Sequence, residues 1–392
     1  MKTYDLTIIG GGLVGAALAL GLRGSGLKIA AVEQVARAAA LQPSYDERTL
    51  VLNQVSRQAL EGMGLWPAIA PNAHPIRRIH VSDRGRFGRV LLAAEDHGLA
   101  AFGYVVAAHR LGAVMVPALA AMADLDQYCP AQLVGLTPGG RAVEVELDNA
   151  RFTSRLVVGA DGAGSAVRRL LGIAAEQYDY RQTAIIANLS TERPHGDTAY
   201  ERFTTTGPLA LLPHGPGRLG LVWTVASEEA PAALDLDDAA ALSVLQARFG
   251  HRLGRLTRIG KRQAYPLKLL HATRPLAERA VLIGNAAHTI HPISAQGFNL
   301  GLRDAVALAA HLAGAPDPGA AALLASYQQS REPDQRATIR YTDTLVRLFR
   351  NDTPGFRLLR SASLVAHQWL PAVQRRLVVG ALGYRGMLDT QP

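Results

Sequence analysis

The sequence predicts an α/β fold: a parallel sheet wound with helices, a second region rich in β-strands, and a helical C-terminal segment. Three observations carry that expectation. Gly10, Gly12 and Gly15 form G-x-G-x-x-G between an apolar strand and an apolar helix. Asp161-Gly162 follows a second apolar strand, and Gly284-Asn285 follows a third. Ligands of open parallel sheets lie across the carboxyl ends of the strands, and polar, glycine-bearing strand ends of this kind suit one long ligand.

The first element is "YDLTIIGGGLVGAALALGLRGSGLKIAAVEQ". Leu6–Ile9 reads as a short buried strand. The helix after it runs to about Arg23, and Gly24 and Gly26 end it. Ile29–Val32 is the next strand, with Glu33 at its tip. Gly10 permits a tight turn, Gly12 lets a pyrophosphate approach backbone N–H groups at the helix start, and Gly15 allows close packing of helix on strand. Glu33 stands where a carboxylate accepts ribose hydroxyls. Its charge would repel a 2′-phosphate, so the ligand is FAD or NAD rather than NADP. In "SYDERTLVLNQVSRQALEGMGLW", helical spacing puts Val55, Ala59, Leu60 and Met63 on one face. Arg48 precedes them, placed to reach a phosphate or a ring.

Residues 150–173 read as strand, Asp161-Gly162, a small-residue loop and a basic helix start at Val167–Arg169. "VLIGNAAHTIHPISAQGFNLGLRDA" runs from an apolar strand through a polar stretch into a helix opened by Gly297–Asn299. The free N–H groups there suit negative charge on the pyrimidine edge of a flavin. His288 and His291 lack metal-ligand spacing and read as structural hydrogen-bonding groups.

"IRRIHVSD", "RFGRVLLAA", "RQTAIIANLS", "AYERFTTTGPLALLPH" and "RLGLVWTVAS" read as strands, and "LDDAAALSVLQARFG" as a helix. From about residue 320 the chain reads as helical. Residues 321–392 hold ten arginines against five acids, a net +5 of the total +9. Leu358, Leu359, Leu364, Val365, Trp369, Leu377 and Val378 mix there with Arg357, Arg360, Arg375 and Arg376, a pattern that suits an anionic membrane, a partner, or packing on the rest of the chain.

At 392 residues, 48% hydrophobic and 19% charged, the chain is globular, with room for two or three domains. Its basic residues are spread out with no reader motif, which speaks against nucleic-acid binding. The single cysteine, Cys129, excludes a disulfide framework and a cysteine zinc site. Asp5 and three consecutive glycines interrupt the apolar N-terminus, against a signal peptide or spanning helix. A cytoplasmic location is expected, with peripheral contact at the inner face of a membrane as its variant.

Together the three segments resemble the para-hydroxybenzoate hydroxylase class of FAD monooxygenases. Within that class "HPISAQGFNLGLRDA", "ERTLVLNQVSRQALEGMGLW" and "GPLALLPHGPGRLGLVWT" resemble the ubiquinone-biosynthesis hydroxylases, over residues 3 to about 350. The resemblance implies a Rossmann-like FAD-binding domain (1–75, 98–178 and 265–320) interrupted by a β-sheet substrate domain (76–97 and 179–264), with a helical region at 321–392. It implies that Gly10, Gly12, Leu13, Val14, Gly15 and Glu33 hold the ADP part of FAD, and that Arg48, Arg110, Val134 and Asp161 lie near the cofactor. Asn285 would meet the ribityl chain. Pro292, Ala295, Gln296, Gly297, Phe298 and Asn299 would surround the flavin ring. Two departures stand out: Asn285 replaces the family's Asp, and Ser294-Ala295 its Ala-Gly. The implied activity is hydroxylation of an apolar aromatic substrate, a polyprenyl phenol or quinol, with NAD(P)H and O2 through a flavin C4a-hydroperoxide. "GPLALLP" and "LVWT" would line its pocket, and His214 and Tyr45 are the candidates for a catalytic base. Another monooxygenase or isoprenoid reductase of this fold, or a non-catalytic flavin-binding subunit, is the alternative.

Overall fold

The structure, a computed structural model, describes residues 1–36, 48–350 and 353–384. Its centre is five parallel strands in the order Ala280–Leu282, Arg151–Gly159, Thr3–Ile9, Ile29–Val32 and Leu125–Tyr128. Ile9 stands beside both Val32 and Gly159, and Gly159 beside Leu282. The carboxyl ends are therefore level. Gly10, Glu33, Asp161 and Asn285, far apart in sequence, emerge at one edge.

Helix Leu13–Gly21 is apolar on nearly every side and is buried between this sheet and two others, Ala108–Ala120 and Gln296–Leu312. Leu6, Ile8, Leu18, Leu156, Val158, Val281 and Leu302 form the shared core. Each such side chain contributes about 1.5–3 kcal/mol when fully buried. The antiparallel strands Leu133–Gly139 and Ala142–Leu147 extend this sheet and pack with its opposite face.

A second, nine-stranded sheet gathers Arg78–Asp83 and Arg89–Ala93 with six strands between residues 175 and 272 and the short His288–Thr289. Period-two alternation divides its side chains. Ile185, Leu209, Leu211, Leu221 and Trp223 face helix Asp238–Phe249. Ile186, Ala210, Leu212 and Val222 face a cavity on the other side. The border expected at residue 265 falls inside strand Gln263–Ala272, which pairs with Ala175–Thr191 to its end. Ladder pairing sets where a sheet stops, and composition at the border does not reveal it.

Helices Ala321–Arg350, Pro354–Trp369 and Pro371–Leu382 close the described chain. The basic-apolar stripe expected on them is split. Leu364 and Val378 are core residues packed with Val90, Leu92 and Phe102. Arg360 is buried too. It pairs with Asp83 at 3.3 Å and donates to the Phe349 carbonyl at 2.6 Å. Among the described residues no helix is long and apolar enough to cross a membrane.

One buried carboxylate ties the third strand end to the helices. Asp304, fully buried on helix Gln296–Leu312, accepts at Oδ2 from the Gly284 N–H (3.3 Å) and pairs there with His288 Nε2 (2.5 Å). Its Oδ1 accepts from Arg331 Nε (3.0 Å) and Gln335 Nε2 (2.9 Å). Burial opposes ionisation, but the facing His288 and Arg331 outweigh it and hold the carboxyl well below the usual range. Asp304→Asn would turn an amide N–H toward these donors and leave Arg331 under-compensated. The expected loss is about 3–5 kcal/mol, read as a lower urea midpoint at unchanged slope; an unchanged midpoint would count against the network as a structural anchor.

Candidate cofactor and substrate site

The first strand end is built for close approach. Gly10 has φ +107°, and a Cβ there would lie 2.4 Å from the Ala160 carbonyl oxygen. A Cβ on Gly15 would lie 2.0 Å from the Gly10 carbonyl oxygen. Only glycine fits either place. Gly12 caps helix Leu13–Gly21 with no side-chain cap and no acid in the first turn, so its leading N–H groups and dipole remain available to an anion. Glu33 is held at the turn, accepting from the Gly11 N–H (2.7 Å) and the Val35 N–H (2.8 Å).

At the second strand end Asp161 Oδ2 accepts from the N–H groups of Ala166 (2.7 Å) and Val167 (3.2 Å). Its Oδ1 is buried with no hydrogen-bond partner among the described residues. A buried acceptor left this way fits the hydroxyls of a dinucleotide.

At the third, Val14 from the first helix wedges between two glycines. A Cβ on Gly284 would lie 3.1 Å from it, and one on Gly301 2.9 Å. Asn285 is exposed at the cavity wall. Ser294 (φ +61°) and Ala295 (φ +49°) take left-handed backbone just before helix Gln296–Leu312. The family's glycine at the second position would adopt it freely, whereas Ala295 holds it under strain of roughly 1–2 kcal/mol. Asn299 is wholly occupied with structure. It accepts from Asn53 N–H (3.0 Å) and Ser56 Oγ (2.6 Å), and donates to the carbonyls of Val51 (2.7 Å) and Ala295 (2.8 Å). His291 accepts from the Ile293 N–H at Nδ1 (3.1 Å), which leaves the proton on Nε2. That N–H has no hydrogen-bond partner among the described residues, and burial lowers the imidazole pKa to about 4.

One cavity of about 1190 Å³ joins these three ends to the inner face of the nine-stranded sheet and to the last two helices. Of the expected cofactor residues, Gly10, Gly12, Leu13, Val14, Glu33, Arg48, Asp161, Asn285, Pro292, Ala295, Gln296, Gly297 and Phe298 line it. Gly15 and Asn299 shape it from behind. Two expected residues lie elsewhere. Val134 points outward, 53% exposed, while its strand neighbour Leu133 points in. Arg110 is exposed on helix Ala108–Ala120, whose Ala108 alone reaches the cavity. Of the two candidate bases, His214 sits outside the lining at a strand end, its N–H donating to the Arg218 carbonyl, and Tyr45 lies outside the described residues.

The sheet half of the cavity is apolar. Only alternate residues of the two expected segments reach it: Pro208, Ala210 and Leu212 of the first, Val222 and Thr224 of the second. A carboxylate that motif reading passed over, Glu201, faces the same space. Its only sequence signal is its position two residues from the apolar Phe203 and Ala199 on the same face of a strand.

Comparison with known proteins gives a consistent picture. A family model described as FAD binding domain matches residues 3–342. The ubiquinone hydroxylase UbiL of Rhodospirillum rubrum is 36% identical over 97% of this chain and 90% of its own. The 3-demethoxyubiquinol 3-hydroxylase of Escherichia coli is 32% identical over 97% and 98%. Among solved structures, the p-nitrophenol 4-monooxygenase PnpA of Pseudomonas putida superposes with a TM-score of 0.80 over 98% of this chain and 99% of that one. At 18% identity that likeness speaks for the fold alone.

Gly12 has φ −69° and ψ −177°, a conformation open to any residue. Gly12→Val should therefore fold normally yet lose its flavin, because the branched side chain occupies the path to the helix N–H groups. Flavin absorbance per mole of purified protein measures this; full flavin content would remove Gly12 from the cradle.

Proposed function

The chain belongs to the FAD-binding domain family, and from that premise we propose that it is an aromatic-ring hydroxylase acting on a polyprenyl phenol or quinol of ubiquinone synthesis, with NAD(P)H as electron donor. The observation that carries this is the continuity of the cavity: a dinucleotide cradle at one end and an apolar chamber at the other share one continuous space. Two relatives that match nearly the whole chain carry the names of ubiquinone-type hydroxylases.

Gly10, Gly12, Glu33 and Asp161 would hold the adenosine and pyrophosphate side of FAD, and the Pro292–Phe298 turn its ring. Bound and reduced, FAD would supply the activation of O2, one of whose oxygen atoms is placed on the substrate. The chain's part is to bind, orient and dry. Ile186, Leu212, Val222 and Leu267 present apolar surface to the aromatic ring, and the volume exceeds that of an ordinary small-ligand pocket. The turn before helix Gln296–Leu312 is held by Asn299, so the reacting groups meet in a fixed geometry. The only other G-x-G-x-x-G, at Gly215, Gly217 and Gly220, joins two antiparallel strands rather than a strand and a helix and offers no second dinucleotide cradle, in keeping with a donor that visits transiently. Incubation with NADH or NADPH, labelled 18O2 and short-chain prenyl phenols should give a product carrying one 18O. Donor oxidation that yields only hydrogen peroxide across the whole series would defeat the reading.

The same reading includes contact with an anionic membrane surface, from which a long-chain substrate would come. Leu358, Leu359 and Trp369, the last 76% exposed, share helix Pro354–Trp369 with the exposed Phe87 and Leu91 beside it. The Leu91 N–H donates to Gln368 Oε1 at 2.7 Å and joins the two segments. Arg86, Arg89, Arg202 and Arg252 line a second hollow that Trp369 also borders, so cationic and apolar surface lie together. The helices carrying this face also line the main cavity through Leu364, His367, Arg376 and Leu377. Each arginine near such a surface is worth about 1 kcal/mol. Leu358→Ser with Trp369→Ser should cut sedimentation with phosphatidylglycerol vesicles and turnover of long-chain phenols, and leave a soluble phenol unaffected. Absence of vesicle binding by the unmodified protein would end this part of the proposal.

A further inference from the structure

Strand Thr198–Thr204 crosses the middle of the nine-stranded sheet. Its Tyr200 belongs to the core under helix Asp238–Phe249. Arg202, on that same face, donates to the Arg248 carbonyl at 3.0 Å and Ser82 Oγ at 3.3 Å. Alternation sends Ala199, Glu201 and Phe203 to the cavity instead. Registry then sets the neighbours of Glu201. Val81 stands beside it on one strand and Ala210 on the other, and the row continues through Val222 to Ile186. Of these five cavity-facing residues four are apolar, and the one carboxylate stands among them. Phe203, next on the same face, packs in a cluster with Ile293, the residue after Pro292. Glu201 thus stands near the flavin turn, within the chamber that receives the ring.

Among the described residues the carboxylate has no hydrogen bond and no ion pair. The adjacent arginine points to the opposite face and cannot reach it. Glu201 is half-buried, and a carboxylate set among apolar side chains loses part of its hydration with no compensating group among the described residues of the sheet. Tyr265, Lys268, His291, Tyr341, His367 and Arg376 line the same cavity. None of them shifts the acid; burial alone raises its pKa to about 7. A group so tuned and facing a cleft marks a functional position.

Resting on the hydroxylase reading above, we propose that Glu201 binds the substrate's phenolic hydroxyl and takes its proton as the ring is oxygenated. The O–H bond of the phenol breaks and an O–H bond forms on the carboxylate. The electron pair stays on the phenolic oxygen, and no oxidation state changes in this step. A phenol with a pKa of about 10 remains protonated in the resting complex and hydrogen-bonds to the carboxylate. The proton moves only when attack on the ring carbon makes the hydroxyl strongly acidic, which is when a base poised near neutrality is most effective. A ring whose oxygen carries a full electron pair is the better nucleophile, so the transfer and the hydroxylation reinforce each other.

The test compares the unmodified protein, Glu201→Gln and Glu201→Asp, each loaded with flavin. Removing a half-buried charge that faces the cavity does not endanger the fold, and Glu201→Asp retains the acid one methylene further back. In equilibrium binding, the unmodified protein should prefer a 4-alkylphenol over its methyl ether by roughly tenfold, and Glu201→Gln should lose that preference. Turnover of the alkylphenol by Glu201→Gln should fall roughly 10²- to 10⁴-fold. A fluorinated phenol already ionised near pH 7 should be spared most of the loss, which a merely structural role would not produce. For the unmodified enzyme kcat/KM should rise with pH through about 7, because the carboxylate is the active form, and that rising limb should vanish in Glu201→Gln. Glu201→Asp should keep the limb at reduced rate. An unchanged preference for phenol over ether in Glu201→Gln, or an equal loss for both phenols, overturns the proposal. If the unmodified protein hydroxylates nothing yet shows the Glu201-dependent preference, the hydroxylase reading fails and the binding role stands.

Discussion

The buried charge of Asp304 is the constraint on which the site's geometry depends. Its four hydrogen-bonding partners come from three places: the third parallel strand's exit at Gly284, the short strand at His288, and helix Ala321–Arg350 at Arg331 and Gln335. A carboxylate with no exposure must have its charge met by good geometry. Meeting it here fixes the loop between strand and helix from both ends. With Gly284 so anchored, Val14 can fill the space between Gly284 and Gly301, and the glycine-rich first turn is braced against the third. Asn299 completes the arrangement by joining the same helix to the chain around Val51–Ser56. The polar run in "HTIHPISAQGFNLGLRDA" is thus mostly framework, and the residues between its anchors are what it presents to the cavity.

This explains which parts were legible in the sequence. The strand–glycine–helix start was readable because every requirement in it is local: a tight turn at Gly10, a close approach at Gly15, an acid at the next strand tip. The strands 29–32 and 238–249 helix were equally local, set by hydrophobic run and by the Asp237 cap, whose side chain accepts from the Ala240 N–H. The roles of Asn299 and Asp304 were not readable. Their partners lie up to 248 residues away, and an Asn or Asp in a glycine-rich motif looks like a ligand contact until those partners are in place. Arg360 misled for the same reason, since its charge is met by Asp83 on a distant strand. Val134 and Leu133 show the finer limit: a shift of one residue along a strand exchanges cavity for solvent.

Glu201 escaped notice through a related ambiguity. A charged residue alternating with apolar ones in a strand ordinarily marks the solvent face. Here both faces of the sheet are covered, one by helix Asp238–Phe249 and the other by the cavity with helix Ala321–Arg350 beyond it. Once one face is core and the other a cavity, a lone acid in the row Val81, Ala210, Val222, Ile186 takes on a different meaning. Its neighbours present apolar surface suited to an aromatic ring, and the same surface lowers the hydration of the carboxylate. The apolar row that would receive the ring also raises the proton affinity of Glu201. Dryness and basicity are two consequences of the same packing. A polar substitution in that row, introduced to widen the chamber, would admit water and lower the acid's pKa together, and the two functions could not be tuned apart.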